Sequence, residues 1–119
     1  MDFKTYMEEA ARTSAELETP LLDNIHYTLG MFTEIAELAD VFKKNLAYGK
    51  AIDWVNVSEE AGDLFWYLAN FLRVNGFDPE RIMEQNIAKL RARYPDKFTS
   101  ERAINRDLEN ERKVLEEKQ

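Results

Sequence analysis

The chain contains no cysteine. Disulfides, thiolate metal sites and a cysteine nucleophile are therefore excluded, and a reducing compartment is a natural fit. Its 119 residues include only three Pro and four Gly, which leaves little room for long irregular stretches. The single histidine, His26, precedes Glu34, Glu37 and Glu60, so the Glu-x-x-His pairs of ferritin-like di-iron bundles are missing. There is no glycine-rich phosphate loop and no strand–elbow–helix setting for a serine hydrolase triad. Basic residues are outnumbered 16 to 23 by acidic ones, giving a formal charge of −7. That balance argues against a broad basic surface for nucleic acid. The longest apolar run, LFWYLANFL, is too short to span a bilayer and has Asp63 and Arg73 at its ends. MDFKTYMEEAARTS lacks the apolar core of a signal peptide. These absences predict a cytoplasmic protein with neither a membrane nor a nucleic acid as partner.

What is present is a pair of carboxylate couplets set into apolar helical segments. Glu34-x-x-Glu37 lies within MFTEIAELADVF, and Glu60-x-x-Asp63 within VNVSEEAGDLFWYLANFL. Acidic residues belong on wet faces, and burying them without a partner is expensive. Four carboxylates bordering apolar helix faces call for a counter-charge, and a divalent metal is the natural one. One couplet alone would suit a solvated face; two, each on the rim of an apolar stripe, favour a site.

No strand-like alternation is sustained, so the chain reads as all-α, one domain over residues 1–119. A short amphipathic helix is predicted over about 3–17, followed by a long one from about Leu22 to Leu46. Gly49 suits a helix C-terminus, and Asp53 an N-cap for Trp54 to Val74. Asp78-Pro79 starts a helix to about Arg93. Residues 99–119 are a polar tail, helical or frayed, in which Glu109, Lys113 and Glu117 stand at helical pairing distance. The expected fold is thus a bundle of about four helices with a charged C-terminal helical tail. From Leu64 to Val74 the third helix is apolar almost all round, and such a helix is buried all round. A chain this short does not easily surround it, so cover from a second subunit is expected, in a homodimer or homotetramer.

Placed around the long helix, Met31, Ile35, Leu38 and Phe42 form the predicted core stripe. Glu34 and Glu37 lie beside it with His26, Gly30, Val41 and Lys44, while Asp40 faces away. On the next helix Asn56, Glu60, Asp63, Tyr67 and Asn70 share a polar stripe, and Glu59 points elsewhere. Spacing of i, i+3 puts each couplet on one helix face, so two packed helices would present four carboxylates to one pocket. Mg²⁺ usually takes one or two carboxylates plus waters and phosphates, so four suit more than one ion. Two ions can ionise a water and neutralise the attacked phosphoryl group. Lys89 and Arg93, on a stripe with Asn86, are placed to hold phosphate oxygens. Tyr67, one turn after Asp63, has a hydroxyl within reach of the site. Lys43, Lys44 and Lys50 are expected to be exposed, with one a candidate phosphate contact.

In the order Glu34-x-x-Glu37, Glu60-x-x-Asp63 within EEAGDLFWYLA, and Asn86-x-x-Lys89 running into KLRARYP, the chain resembles the MazG-like nucleotide pyrophosphohydrolases of the all-α NTP pyrophosphatase group. The resemblance covers about residues 22–98. It implies hydrolysis of (d)NTP to (d)NMP and pyrophosphate with Mg²⁺ or Mn²⁺, in nucleotide-pool housecleaning or dNTP-pool remodelling. It also implies that Glu34, Glu37, Glu60 and Asp63 ligate metal, with Glu37 and Glu60 in catalysis. Asn86, Lys89, Arg93, Tyr67 and His26 take the substrate contacts. Two alternatives remain open. One is a related all-α enzyme, dUTPase-like or phosphoribosyl-ATP pyrophosphohydrolase-like; the other is a non-catalytic helical oligomer.

Overall fold

The computed structural model describes residues 1–117, and all of the regular structure among them is helical. Six helices run in order: α1 Phe3–Ala11, α2 Pro20–Tyr48, α3 Trp54–Val74, α4 Pro79–Arg93, α5 Ser100–Ile104 and α6 Leu108–Glu117. The chain is all-α, as the absence of strand periodicity predicts. Four of them, α1 to α4, answer to the expected four, and the charged tail is helical in two short pieces, α5 and α6. No helix among the described residues is long and apolar enough to cross a membrane.

The chain forms two compact units, Met1–Gly76 and Phe77–Gln119, the second described as far as residue 117. In the first, α2 and α3 pack along each other and α1 lies on α3. The start signals are side-chain caps. Thr19 accepts from the Leu22 N–H with Pro20 at the first helical position. Asp53 accepts from the N–H groups of Val55 and Asn56 at 3.1 and 3.2 Å. Each satisfies donors that the first helical turn leaves unpaired. Helix α2 ends on Gly49, whose left-handed φ of 67° is what glycine tolerates and other residues resist.

Helix α1 stops well short of the predicted residue 17. Residues 12–19 leave the helix because their hydroxyls have other partners. Ser14 Oγ is hydrogen-bonded to the Tyr27 hydroxyl. Thr13 Oγ1 accepts from the Trp66 indole N–H at 2.8 Å. Thr13 Oγ1 also donates to the Ala10 carbonyl at 3.3 Å, the local hydroxyl-to-backbone bonding that competes with a continuing helix. The first two bonds tie the N-terminal segment to α2 and α3 over the fully buried Tyr27.

The packed face of α2 differs from the predicted one. Tyr27 and Gly30 are the buried residues of this helix. Gly30 meets the ring of Tyr67 so closely that a Cβ there would overlap it. Glu34 and Glu37 lie on this inner side, whereas the predicted core residues Ile35 and Phe42 remain 50% and 41% exposed. On the far side Ile25, Leu29 and Phe32 follow one another at helical spacing and are 44%, 59% and 70% exposed. Helix α3 is not enclosed on every side within the chain either. Ala69, Asn70 and Leu72 are buried, but Phe65 is 53% exposed although Phe3 of α1 packs edge-on against it.

In the second unit α4 packs on α6. Their link is an ion-pair group in which Glu111 accepts from Arg93 Nε at 2.6 Å and from Arg106 at 3.0 Å. Arg93 also sits over the Tyr94 ring. Glu111 is the one residue of α6 that is buried among those described.

Candidate functional site

The site is made where the inner face of α2 meets the first half of α3. Gly30 lets the two helices approach, and Glu34 follows one turn later. From α3, Glu60 projects into the same place. One carboxylate oxygen each from Glu34, Glu37 and Glu60 lie within 4.8 Å of one another. Their burial is graded: Glu60 is buried, Glu34 half-buried and Glu37 exposed. Asp63, the fourth acid of the sequence pattern, stands outside this close trio. It is exposed, yet near enough for its charge to act on both Glu37 and Glu60.

Three carboxylates this close disfavour one another's ionisation. A hydrogen bond shared with Glu60, then the Glu60 charge, raises the Glu37 carboxyl above its ordinary range. Glu60 is likewise raised, first by a hydrogen bond to Glu34 and then by burial. Even so, Oε2 of Glu34 and Oε2 of Glu60 are buried with no hydrogen-bond partner. Buried acidic oxygens without donors are costly, and native proteins rarely leave them so. The donor set is all oxygen, with mixed exposure, which is the ligand chemistry that hard divalent cations prefer. The residues fit such an ion.

A cleft of about 830 Å³ opens beside Glu37 and Glu60 and runs along the α2–α3 connection. Asp40, Lys43, Lys44, Lys50, Asp53 and Asn56 line it. Asp40 therefore does not face away, as its helical position suggests. It pairs with Lys44 at 2.7 Å and Lys43 at 3.4 Å, and the Lys44 hydrogen bond holds its carboxyl below the ordinary range. The spacing Asp40–Lys43–Lys44 is the sequence signal for this group.

The remaining predicted residues have distinct settings. The Tyr67 ring fills the notch at Gly30 and packs edge-on against His26 and Trp66. His26 stacks on Tyr27 at 5.1 Å, with its Nδ1 buried and without a partner. Asn70, at the end of the polar stripe, is fully buried and satisfied within α3, donating to the Trp66 carbonyl and accepting from Arg73. Asn86, Lys89 and Arg93 belong to α4 in the second unit. There Asn86 is exposed, Lys89 is half-buried, and Arg93 Nε is engaged by Glu111. Tyr6 of α1, outside the predicted site residues, has its hydroxyl pKa raised by burial first and by the Asp63 charge second. No spacing rule connects residues 57 apart on separate helices.

An all-helical fold with clustered carboxylates across a helix pair defines the class: a carboxylate-site α-helical protein. Residues 23–98 match the MazG nucleotide pyrophosphohydrolase domain, and the chain belongs to that family. The match takes in α2 from Asp23 on, α3 and α4, and leaves α1, α5 and α6 outside it. No curated protein and no solved structure matches the chain.

Proposed function

We propose that this protein is a metal-dependent pyrophosphohydrolase that converts (d)NTP to (d)NMP and pyrophosphate. The observation that carries the reading is the convergence of Glu34, Glu37 and Glu60, with two buried carboxylate oxygens awaiting a positive partner. Mg²⁺ or Mn²⁺ suits this oxygen set, and Asp63 at its edge gives room for more than one ion. A divalent ion bound there supplies neutralisation of the phosphate charge and acidifies a water.

The chain's own residues do the rest. Glu34 and Glu60, the less exposed pair, fix the geometry of the site. Glu37, at the cleft mouth, orients the attacking water and takes its proton. The water oxygen bonds to phosphorus as the anhydride P–O bond breaks, and pyrophosphate departs with the bonding electrons. Asn86, Lys89 and Arg93 are assigned to the substrate by the family resemblance. Tyr67 and His26, which meet next to Gly30, are assigned in the same way. The biological setting we propose is cytoplasmic nucleotide-pool housecleaning or dNTP-pool remodelling. The uncovered face at Ile25, Leu29 and Phe32 supports a homodimer or homotetramer, because monomers rarely leave such apolar stripes in water.

The test is turnover of a panel of NTPs and dNTPs with Mg²⁺ or Mn²⁺, resolving monophosphate, diphosphate, pyrophosphate and orthophosphate. The expected result is monophosphate plus pyrophosphate, lost on chelation and in Glu60→Gln while that variant still folds. Full activity of Glu60→Gln, or no turnover of any nucleotide, would remove the reading.

A further inference from the structure

We propose that Lys50 binds the phosphate chain of the substrate, taking the end that leaves as pyrophosphate. The proposal rests on the pyrophosphohydrolase reading and concerns a residue outside every acidic and basic motif of the family resemblance. It starts from the charge balance of the cleft. A nucleoside triphosphate brings a polyanion into a site already rich in carboxylates, so cations beyond a metal are needed along the cleft. Lys43, Lys44 and Lys50 line it within the first unit. Lys43 and Lys44 both pair with Asp40. The other acid of that wall, Asp53, is occupied in capping α3, which also removes the helix N-terminus as an anion site. Asp40 can neutralise only one of Lys43 and Lys44, but it holds both; Lys50 has no ion pair among the described residues, so its ammonium is the lysine of the cleft that meets an incoming anion without first leaving a carboxylate.

Its position is also fixed from behind. Gly49 turns the chain in the left-handed region, and the Lys50 N–H then donates to the Lys44 carbonyl at 3.4 Å. The Lys50 carbonyl accepts from the Asn45 amide at 2.9 Å. The backbone under Lys50 is thus anchored to the end of α2, while its flexible stem carries the ammonium over the cleft wall. A compact point charge on a long stem follows a phosphate chain whose exact conformation changes during hydrolysis.

Calorimetric binding of inorganic pyrophosphate in the presence of Mg²⁺ tests this, beside nucleotide turnover by the same preparations. Lys50→Ala should weaken pyrophosphate binding at least tenfold and raise KM, with Mn²⁺ affinity unchanged. Lys50→Arg should recover most of the binding. Lys113→Ala, the same charge loss on exposed α6, should bind as wild type. Wild-type pyrophosphate affinity in Lys50→Ala, or an equal loss in Lys113→Ala, would overturn the role of Lys50. If the wild type still cleaves nucleotides in that case, the pyrophosphohydrolase reading stands without it. A wild type that neither binds pyrophosphate nor cleaves nucleotides would overturn both.

Discussion

Replacing Gly30 with alanine should separate two opposing effects of one methyl group. In an open helix the change stabilises, because glycine in a helix interior costs about 0.5–1 kcal/mol relative to alanine. Here the new Cβ would overlap three atoms of the Tyr67 ring. The ring cannot swing aside cheaply, since His26 and Trp66 pack against its edges and faces. Helices α2 and α3 would have to part, and overpacking of this kind costs about 1–3 kcal/mol. The severity of the overlap puts Gly30→Ala in the upper part of that range, for a net loss of about 1–2 kcal/mol. For a chain of this size that lowers Tm by roughly 4–8 °C. In a Tyr67→Ala background the same substitution meets no ring and should raise stability by about 0.5–1 kcal/mol. Thermal melts of the four proteins, at one protein concentration and with chelator, form a double-mutant cycle with an expected coupling of about 1.5–3 kcal/mol. Gly30 lies one turn before Glu34, so the parted helices should also bind Mn²⁺ more weakly. Additive effects, or a stabilised Gly30→Ala single variant, would refute the close-approach reasoning.

Two further outcomes follow from the charges. In the metal-free protein hydrogen bonding and charge within the carboxylate trio raise the carboxyls of Glu37 and Glu60 above the ordinary range. A raised carboxyl contributes stability that is complete below its unfolded pKa and is lost as pH rises through the folded one. With chelator, melts should therefore show this contribution fading from about pH 4.5 upward, and Glu37→Gln should flatten it; Mg²⁺ should reverse the slope because it needs the carboxylates ionised. Glu111 has the opposite sign. Burial pushes its carboxyl up, but Arg93 and Arg106 together bring it below 4.5. Its contribution should be present above that value and lost as pH falls through the folded pKa, and Glu111→Gln should lower Tm at neutral pH by leaving the half-covered Arg93 without its anion.

The parts of the fold governed by local chemistry were legible in the chain. Asp53, Asp78 and Gly49 mark their helix ends: α3 and α4 begin, and α2 stops, where those residues place them. The convergence on the site was legible in part: i, i+3 spacing keeps Glu34 and Glu37 on one helix face, but the same spacing in Glu60-x-x-Asp63 brings Glu60 into the close trio and leaves Asp63 outside it. Which face of α2 packs inward was not legible. Ile35 and Phe42 are as apolar as any core residue, and helical periodicity ranks them first. Gly30 and Tyr67 decide the matter by shape, through a notch and a ring on different helices. The early end of α1 was hidden in the same way, since Thr13 and Ser14 leave the helix for partners 53 and 13 residues distant. Glu111 reads as one more charge on a polar tail until α4 brings Arg93 against it.

The hydroxyl clasp of Thr13 and Ser14, together with the Glu111 ion pair, bears on what counts as the unit of this protein. The stretch shared with the family, 23–98, begins after the clasp and ends before Glu111. A fragment cut to those limits would strip the partner from the Tyr27 hydroxyl and the Trp66 indole at one end. At the other it would take the counter-charge from Arg93. The family match and the contacts that satisfy it are therefore different lengths of chain: ancestry is recorded in three helices, while the partners of Tyr27, Trp66 and Arg93 come from outside them.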